Sequence, residues 1–145
     1  MHNSARAAVG VPPLVWSDKL AADAKTWVEY LASSTCFPQT CVHDTEHLGT
    51  LGEGENVANT GPPRNPPQPA EMIKAIWLAK KNDYHGGPPT TGKIKPGTGV
   101  TGHYTQMVWN TTKAVGCAIA ASITTYSDIL VCRYSPPGNY PRPLY

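Results

Sequence analysis

Two cysteines in the last third of the chain constrain its fold more than any other feature. Cys117 and Cys132 each lie in a strand-like run, at equal distances from the threonine pair at 124–125. A hairpin that turns at this pair places the two cysteines directly opposite each other, where Cβ atoms are close enough for a disulfide. Closing a loop of about 15 residues contributes about 3 kcal/mol in the loop-entropy description. We therefore predict a Cys117–Cys132 disulfide inside a β-hairpin.

The two remaining cysteines indicate the compartment. Cys36 and Cys41 are left to pair with each other by elimination, which gives two disulfides from four cysteines. No Cys-x-x-Cys pair is present, so a zinc site built from four thiolates is not expected. An even number of disulfide-bonded cysteines indicates an oxidising environment, and we expect a secreted, extracellular protein.

Apolar residues at helical spacing predict helices before the hairpin. Ser17 is a suitable N-cap for a helix of about three turns, whose apolar stripe is Leu20, Ala24, Trp27, Val28 and Leu31. Pro69 is compatible with the first turn of a second helix, whose stripe is Met72, Ile73, Ile76 and Trp77. A short helix over 2–9, ended by Gly10, is expected at the start of the chain.

Composition and charge limit the possible partners. The 15 prolines among 145 residues collect in loops such as 61–69, and a second loop, 86–101, is rich in Gly, Pro and Thr. Too little chain follows these loops for a second domain, so we predict one domain over 1–145. A net charge of +2 from scattered basic residues does not favour nucleic acid. No apolar run is long enough to span a membrane, and a monomer is expected.

Three short segments resemble signatures of a known superfamily. Residues 102–109, GHYTQMVW, are similar to the first CAP signature, and residues 132–139, CRYSPPGN, are similar to the second. Residues 54–57, GENV, resemble the turn that carries a glutamate in that family. The chain therefore resembles the CAP superfamily of cysteine-rich secretory, antigen-five and pathogenesis-related-one proteins. The resemblance implies an α+β fold, a three-layer α-β-α sandwich with a central antiparallel sheet.

The resemblance also implies a cleft that collects two histidines and two glutamates. His103 follows from the GHYTQ motif and Glu55 from the GEN turn. The other histidine is His47, eight residues before Glu55, with His43 as its rival. Imidazole and carboxylate groups are common zinc ligands, so His47, Glu55 and His103 form the candidate metal set.

Lys80 occupies the position at which the family carries its second glutamate, three residues after Trp77. A protonated amine is not a ligand, and its charge opposes a nearby divalent cation. We therefore expect Lys80 to project into the cleft, to pair with Glu55 and to leave at most weak zinc binding. No catalytic residue and no other cofactor is expected.

These features favour a secreted binding module rather than an enzyme. The sequence contains no HExxH, GxSxG or Walker motif. The resemblance implies a sterol, a fatty acid, or an extracellular protein or cell-wall partner as the ligand. We expect any lipid at the 86–101 loop or in the groove between the two amphipathic helices. The alternatives are a metal-dependent hydrolase that uses the His/Glu cleft, and a purely structural extracellular module.

Overall fold

A computed structural model describes residues 1–35, 51–63, 67–84 and 101–139 of the chain. The predicted Cys36–Cys41 disulfide, His43 and His47, and the loop at 86–101 except for Thr101 lie outside the described residues. The described helices and strands are, in chain order, α1 (His2–Ala7), β1 (Val15–Trp16), α2 (Asp18–Ser33), β2 (Gly54–Thr60), α3 (Pro69–Met72), α4 (Gly102–Met107), β3 (Ala114–Ser122) and β4 (Ser127–Ser135). A π-helical turn (Ile73–Trp77) and a 3₁₀ helix (Leu78–Asp83) continue α3, and we call the whole run the 69–83 helical segment.

The four strands form one mixed sheet in the order β1-β3-β4-β2. The β3–β4 hairpin has the predicted register: Cys117 lies opposite Cys132, and the Cys117–Cys132 disulfide is confirmed. Strands β2, β4 and β3 are antiparallel, as expected, but the two-residue β1 runs parallel to β3. The expectation of an antiparallel sheet is corrected at this edge, where β1 leads directly into α2.

Helix α2 covers one face of the sheet. Ser17 caps it as predicted, because its Oγ accepts a hydrogen bond from the Leu20 backbone N–H at 3.3 Å. The predicted stripe is buried at Leu20, Ala24, Val28 and Leu31, whereas Trp27 is half-buried and stacks on Tyr30. The buried residues of α2 from Ala24 onward pack against the sheet residues Val57, Ile129 and Val131.

The remaining helices cover the opposite face, which confirms the three-layer sandwich. Trp77, Tyr104 and Met107 pack there against Leu130, Cys132 and Tyr134 of β4. Pro69 occupies the first turn of α3, as predicted. No helix within the described ranges is long and apolar enough to cross a membrane.

Arg6 of α1 connects this layer to distant parts of the chain. Its side chain is fully buried and donates hydrogen bonds to the carbonyl oxygens of Met107, Trp109 and Thr112 at 2.9 to 3.1 Å, and also to that of Pro12. The Met107 and Trp109 carbonyls lie at the end of α4, where helix carbonyls lack intrahelical partners. A buried charge is tolerated only with such hydrogen bonding.

The two signature segments bind each other through polar side chains. Gln106 Oε1 accepts from the Gly138 backbone N–H at 2.8 Å, and its Nε2 donates to Thr112 Oγ1. Asn139 Nδ2 donates to the Gly102 carbonyl at 2.8 Å. Gln106 is buried. Trp109 is buried as well. These signature residues therefore have structural roles.

Gly116 of β3 is the point of closest approach between the sheet and α2. A Cβ built on Gly116 would lie 2.1 Å from the Ala21 nitrogen and 2.6 Å from the Ser17 oxygen. Both atoms belong to backbone at the first turn of α2, so they cannot rotate away. Only glycine allows the helix to lie this close to the strand.

We predict that Gly116→Ala destabilises the fold by about 3 kcal/mol, because overpacking against backbone forces α2 away from the sheet. Urea unfolding followed by circular dichroism measures this loss. Gly102→Ala is the matched control, since its Cβ would meet only Asn139 Nδ2 at 3.7 Å. A Gly116→Ala protein as stable as the Gly102→Ala protein would contradict the close contact.

Candidate functional site

Two candidate residues of the cleft, Glu55 and His103, lie on opposite faces of the sheet. Successive side chains of a strand point to opposite faces, so Glu55 and Asn56 of β2 face different layers. The row Glu55, Arg133 and Gly116 faces α2, because Gly116 contacts the first turn of that helix. Asn56 faces the other layer, where its Nδ2 donates to the His103 carbonyl at 2.9 Å. Glu55 and His103 are thus separated by the sheet.

On the α2 face, Glu55 is held by a buried arginine. Arg133 Nε lies 3.1 Å from Glu55 Oε2, and the two side chains are 1% and 0% exposed. Arg133 Nη1 also lies 3.5 Å from Glu53 Oε2, and Lys19 of α2 approaches Glu53 Oε1 at 2.9 Å. The two carboxylates and two cations form a chain of ion pairs that leads from the sheet to the surface.

Burial and the ion pairs of Lys19 shift the pKa values of the groups at the outer end of this series of ion pairs. Burial raises the pKa of Glu53, although its bond to Lys19 acts in the opposite direction. The hydrogen bond from Lys19 lowers the pKa of Asp23, which lies one turn further along α2. Lys19 thus binds two carboxylates, and the bond to Asp23 is the larger cause of its own raised pKa.

On the opposite face, His103 belongs to a cluster of rings and polar groups. Its ring lies 6.1 Å from the ring of Trp77, centroid to centroid. Asn56 Nδ2 also donates to the Tyr134 hydroxyl at 3.1 Å, and that hydroxyl is hydrogen-bonded to His2 Nε2 at 2.7 Å. Burial raises the pKa of Tyr134. Burial also lowers the pKa of His2 to about 4, and the positive charge of Arg6 acts in the same direction.

Lys80 forms an ion pair with Asp83, with Nζ 3.5 Å from Oδ2, and its side chain is 41% exposed. The ion pair that the structure gives to Glu55 is with Arg133 instead. The expected pair between Lys80 and Glu55 is therefore not found. The cation beside Glu55 is Arg133 of β4, and not a lysine of the 69–83 helical segment.

A metal site that uses Glu55 together with His103 does not fit this arrangement. The Glu55 carboxylate pairs with Arg133 on the α2 face of the sheet, whereas the His103 ring lies beside Trp77 in the layer on the opposite face. Within the described ranges, no group of three or more His, Cys, Asp or Glu side chains is arranged to hold a metal ion. The position of His47 lies outside those ranges.

Two mostly apolar cavities flank α1. A cavity of about 560 Å³ separates α1 from the 3₁₀ helix. A second cavity of about 530 Å³ lies between the start of α1, the start of α3 and the sheet. The expected groove between α2 and the 69–83 helical segment does not occur, because the sheet separates these helices.

Sequence reasoning missed Arg133 and the Glu53–Lys19 pair. The signal for Arg133 was available: the hairpin register that pairs the cysteines also places Arg133 opposite Gly116. Because strand residues alternate between faces, Arg133 and Gly116 must then lie on the face away from the disulfide. The role of Lys19 had no sequence signal, since it depends on how α2 crosses the strands.

We predict that Arg133→Met costs about 3–5 kcal/mol of unfolding free energy, because it leaves buried carboxylates without their cation. Lys80→Met removes the same charge from an exposed pair and is expected to change stability by less than about 0.5 kcal/mol. Double-mutant cycles of each change with Glu55→Gln, measured by urea unfolding, identify the cation that neutralises Glu55. A larger coupling of Glu55 to Lys80 than to Arg133 would contradict the structure.

The lowered pKa of His2 predicts a pH-dependent loss of stability. The unfolded chain takes up a proton at His2 near pH 6.5, whereas the folded protein does so only near pH 4. Unfolding therefore binds a proton in this window, and up to about 3 kcal/mol of stability is lost as the pH falls from 6.5 to 4. Thermal unfolding of wild type and His2→Gln across this range measures the difference. Parallel pH profiles for the two proteins would show that His2 is not buried as a neutral ring.

The chain is similar to known proteins over nearly its whole length. The profile of the cysteine-rich secretory protein family, CAP, matches residues 1–134. The PR-1 type pathogenesis-related protein of Sambucus nigra is 36% identical over 141 residues, which cover 96% of this chain and 74% of that protein. Venom allergen 5 of Polistes dominula is 35% identical over 143 residues, which cover 96% and 58%.

A solved structure has the same fold. The crystal structure of Na-ASP-1 superimposes with a TM-score of 0.72 at 26% sequence identity and covers 96% of this chain and 37% of that one. The chain spans less than two thirds of the length of the wasp protein and of Na-ASP-1. The match of the family profile and the shared fold lead to one conclusion: this chain belongs to the cysteine-rich secretory protein family, CAP.

Proposed function

We propose that the protein is an extracellular, non-enzymatic CAP module that binds a fatty acid. The ligand lies in the cavity between α1 and the 3₁₀ helix of the 69–83 helical segment. The single observation that carries the proposal is the position of Lys81 at this cavity, because it adds a cation to walls that are otherwise mostly apolar. The wasp and plant relatives support an extracellular location through their descriptions as a venom allergen and a pathogenesis-related protein.

The size and lining of the cavity suit an acyl chain. Its volume of about 560 Å³ is within the range of sites for small organic ligands. Its walls are Met1, Ser4, Ala5, Ala8, Leu78, Lys81 and Tyr104. The small side chains of α1 leave space beside the helix, and Leu78 and the Tyr104 ring supply apolar surface on the other side. An extended chain gains free energy in such a groove because apolar area leaves water.

The position of Lys81 determines which way a fatty acid is oriented in the groove. Its residue is exposed, so the amine lies at the rim where water still reaches it. An ammonium group there attracts a carboxylate without the cost of a fully buried ion pair. A fatty acid has this combination of one anionic end and a long apolar body. A sterol lacks the anionic end, and the expected sterol loop lies almost wholly outside the described residues.

The arrangement around Glu55 supports binding rather than hydrolysis. A metal-dependent hydrolase needs several ligands on one centre and an activated water. Glu55 is engaged by Arg133 on one face of the sheet, and His103 belongs to the aromatic cluster on the other. The hydrolase alternative therefore requires a different ligand set.

We predict that the protein binds palmitate and that Lys81→Glu weakens binding at least about tenfold, because it replaces attraction by repulsion at the carboxylate. Ala8→Trp is expected to abolish binding, since Ala8 directly follows α1 and lines the groove, which the larger ring would fill. Isothermal titration calorimetry with palmitate, and with cholesterol in parallel, measures both effects.

The chain offers matched controls for each variant. Lys74→Glu makes the same charge change at another exposed lysine of the 69–83 helical segment, and Ala7→Trp places the same ring on α1 at an exposed residue that does not line the groove. Both controls should bind palmitate like wild type. If Lys74→Glu weakened palmitate binding as much as Lys81→Glu does, the effect would come from the net charge of the protein and not from the position of Lys81. Cholesterol binding that Ala8→Trp leaves intact would contradict the proposal.

A further inference from the structure

The turn of the β3–β4 hairpin carries two exposed apolar side chains. Ser122 and Ser127 are the last paired residues of the two strands, and residues 123–126 form the turn between them. Ile123 is 91% exposed and Tyr126 is 70% exposed, the highest values among the large apolar side chains that the structure describes. Single exposed apolar residues are common on protein surfaces. Two of them in one turn form a candidate contact surface, which we call the hairpin tip (residues 123–126).

The backbone conformation of Tyr126 indicates that its ring does not serve the fold. Tyr126 has a φ of 50°, in the left-handed region that glycine and asparagine adopt readily and a bulky residue does not. A residue held in this region costs free energy, which surrounding contacts normally offset. At 70% exposure the Tyr126 ring gains little from such contacts. An aromatic ring at a position that suits asparagine therefore indicates a contact outside this chain.

Side-chain hydroxyl groups at the tip form hydrogen bonds inside the protein. The hydroxyls of Ser122 and Thr124 donate to backbone carbonyls at the end of α2, at 3.0 and 3.2 Å. Ser122 Oγ also accepts from the Thr125 N–H at 3.3 Å, and the hydroxyls of Thr125 and Ser127 lie 2.7 Å apart. A polar group with such a partner leaves water at lower cost than one without. The tip is thus suited to surroundings that offer few hydrogen bonds.

The tip and the strand that leads to it carry no charge. Residues 114–127 include no Asp, Glu, Lys, Arg or His, and Asp128, which follows them, is buried. A groove in another protein adds hydrogen bonds to a docked loop, whereas the hydroxyls of this turn already bind within their own chain. The boundary between headgroups and acyl chains accepts apolar and aromatic side chains and disfavours charge. A lipid surface therefore fits the tip better than a protein groove.

We propose that the hairpin tip inserts into the surface of a lipid membrane and holds the protein there as a peripheral module. Ile123 enters the boundary of the acyl chains. The Tyr126 ring lies at the level of the headgroups, where aromatic rings are enriched because their body is apolar and their hydroxyl reaches water. The disulfide and the hydrogen bonds to α2 fix the hairpin in advance, so little conformational freedom is lost on insertion.

The contact is weak and does not require anionic lipid. A single myristoyl chain, which inserts more apolar surface than Ile123 and Tyr126 together, binds with an association constant of about 10⁴ M⁻¹. We therefore expect half of the protein on vesicles at about 1–5 mM accessible lipid. Because the tip is uncharged, neutral vesicles suffice. The proposal does not depend on the fatty-acid groove, whose walls are other residues.

Sedimentation of the full chain with sucrose-loaded phosphatidylcholine vesicles tests the proposal. Ile123→Asp should weaken vesicle binding at least about tenfold, because it places a charge among the acyl chains. Val15→Asp is the matched control, since it makes a similar change at a valine that is 64% exposed in β1, and it should bind vesicles like wild type.

Tyr126→Asn separates a membrane contact from a role in the fold. It should weaken vesicle binding at least about threefold, yet its melting temperature should be no lower than that of wild type, because asparagine tolerates a positive φ. A clear fall in melting temperature would show that the ring serves the fold and would overturn the proposal. Ala8→Trp, which blocks the fatty-acid groove, should still bind vesicles.

Amide hydrogen exchange gives a readout that needs no variant: the backbone amides of the hairpin tip should exchange more slowly when vesicles are added. A chain that stays in solution at about 10 mM phosphatidylcholine overturns the proposal and leaves a groove in a second protein as the partner of the tip. Equal weakening by Val15→Asp and Ile123→Asp also overturns it. So does binding that appears only when phosphatidylserine is present, because the attraction would then come from the net charge of +2 and not from the tip.

Discussion

The register of the β3–β4 hairpin is the constraint on which most other contacts depend. It places Cys117 opposite Cys132 and, one row away, Gly116 opposite Arg133. The first row faces the aromatic layer and the second faces α2, since neighbouring rows alternate. A shift by one residue would exchange the faces of every side chain in the hairpin. The disulfide, the close approach of α2 and the position of the turn at 123–126 are consequences of this one alignment.

The same alignment decides which cation neutralises Glu55. Arg133 approaches it from the neighbouring strand, in a position fixed by the sheet, whereas Lys80 lies on a 3₁₀ helix near water. A buried ion pair that loses one partner is costly, because the remaining charge cannot be hydrated. An exposed pair loses little. The Glu55 carboxylate therefore serves the packing between the sheet and α2, and the ligand site that we propose is a separate one, in the groove beside α1.

Much of the fold could be predicted from the sequence. The hairpin and its disulfide followed from the position of two cysteines, and the cap at Ser17 followed from local preferences that depend on few neighbours. The cleft was harder to predict, because family motifs identify residues and not the face to which each one points. No sequence signal separated the 69–83 helical segment into α, π and 3₁₀ turns, since the polar residues around Lys80 are compatible with all three. The parallel direction of β1 depends on how α2 crosses β3.

Arg6 imposes an order on the assembly of the chain. Three of its acceptor carbonyls, at Met107, Trp109 and Thr112, lie 101 to 106 residues further along the chain. During synthesis, α1 is made before these residues, and the Arg6 guanidinium cannot find these acceptors until they have left the ribosome. A buried arginine without acceptors is unfavourable, so α1 remains undocked while α2 and the strands assemble. Contacts of such large sequence separation slow folding. Helix α1 is thus synthesised before α2 and the strands, yet it is among the last elements to be fixed in place.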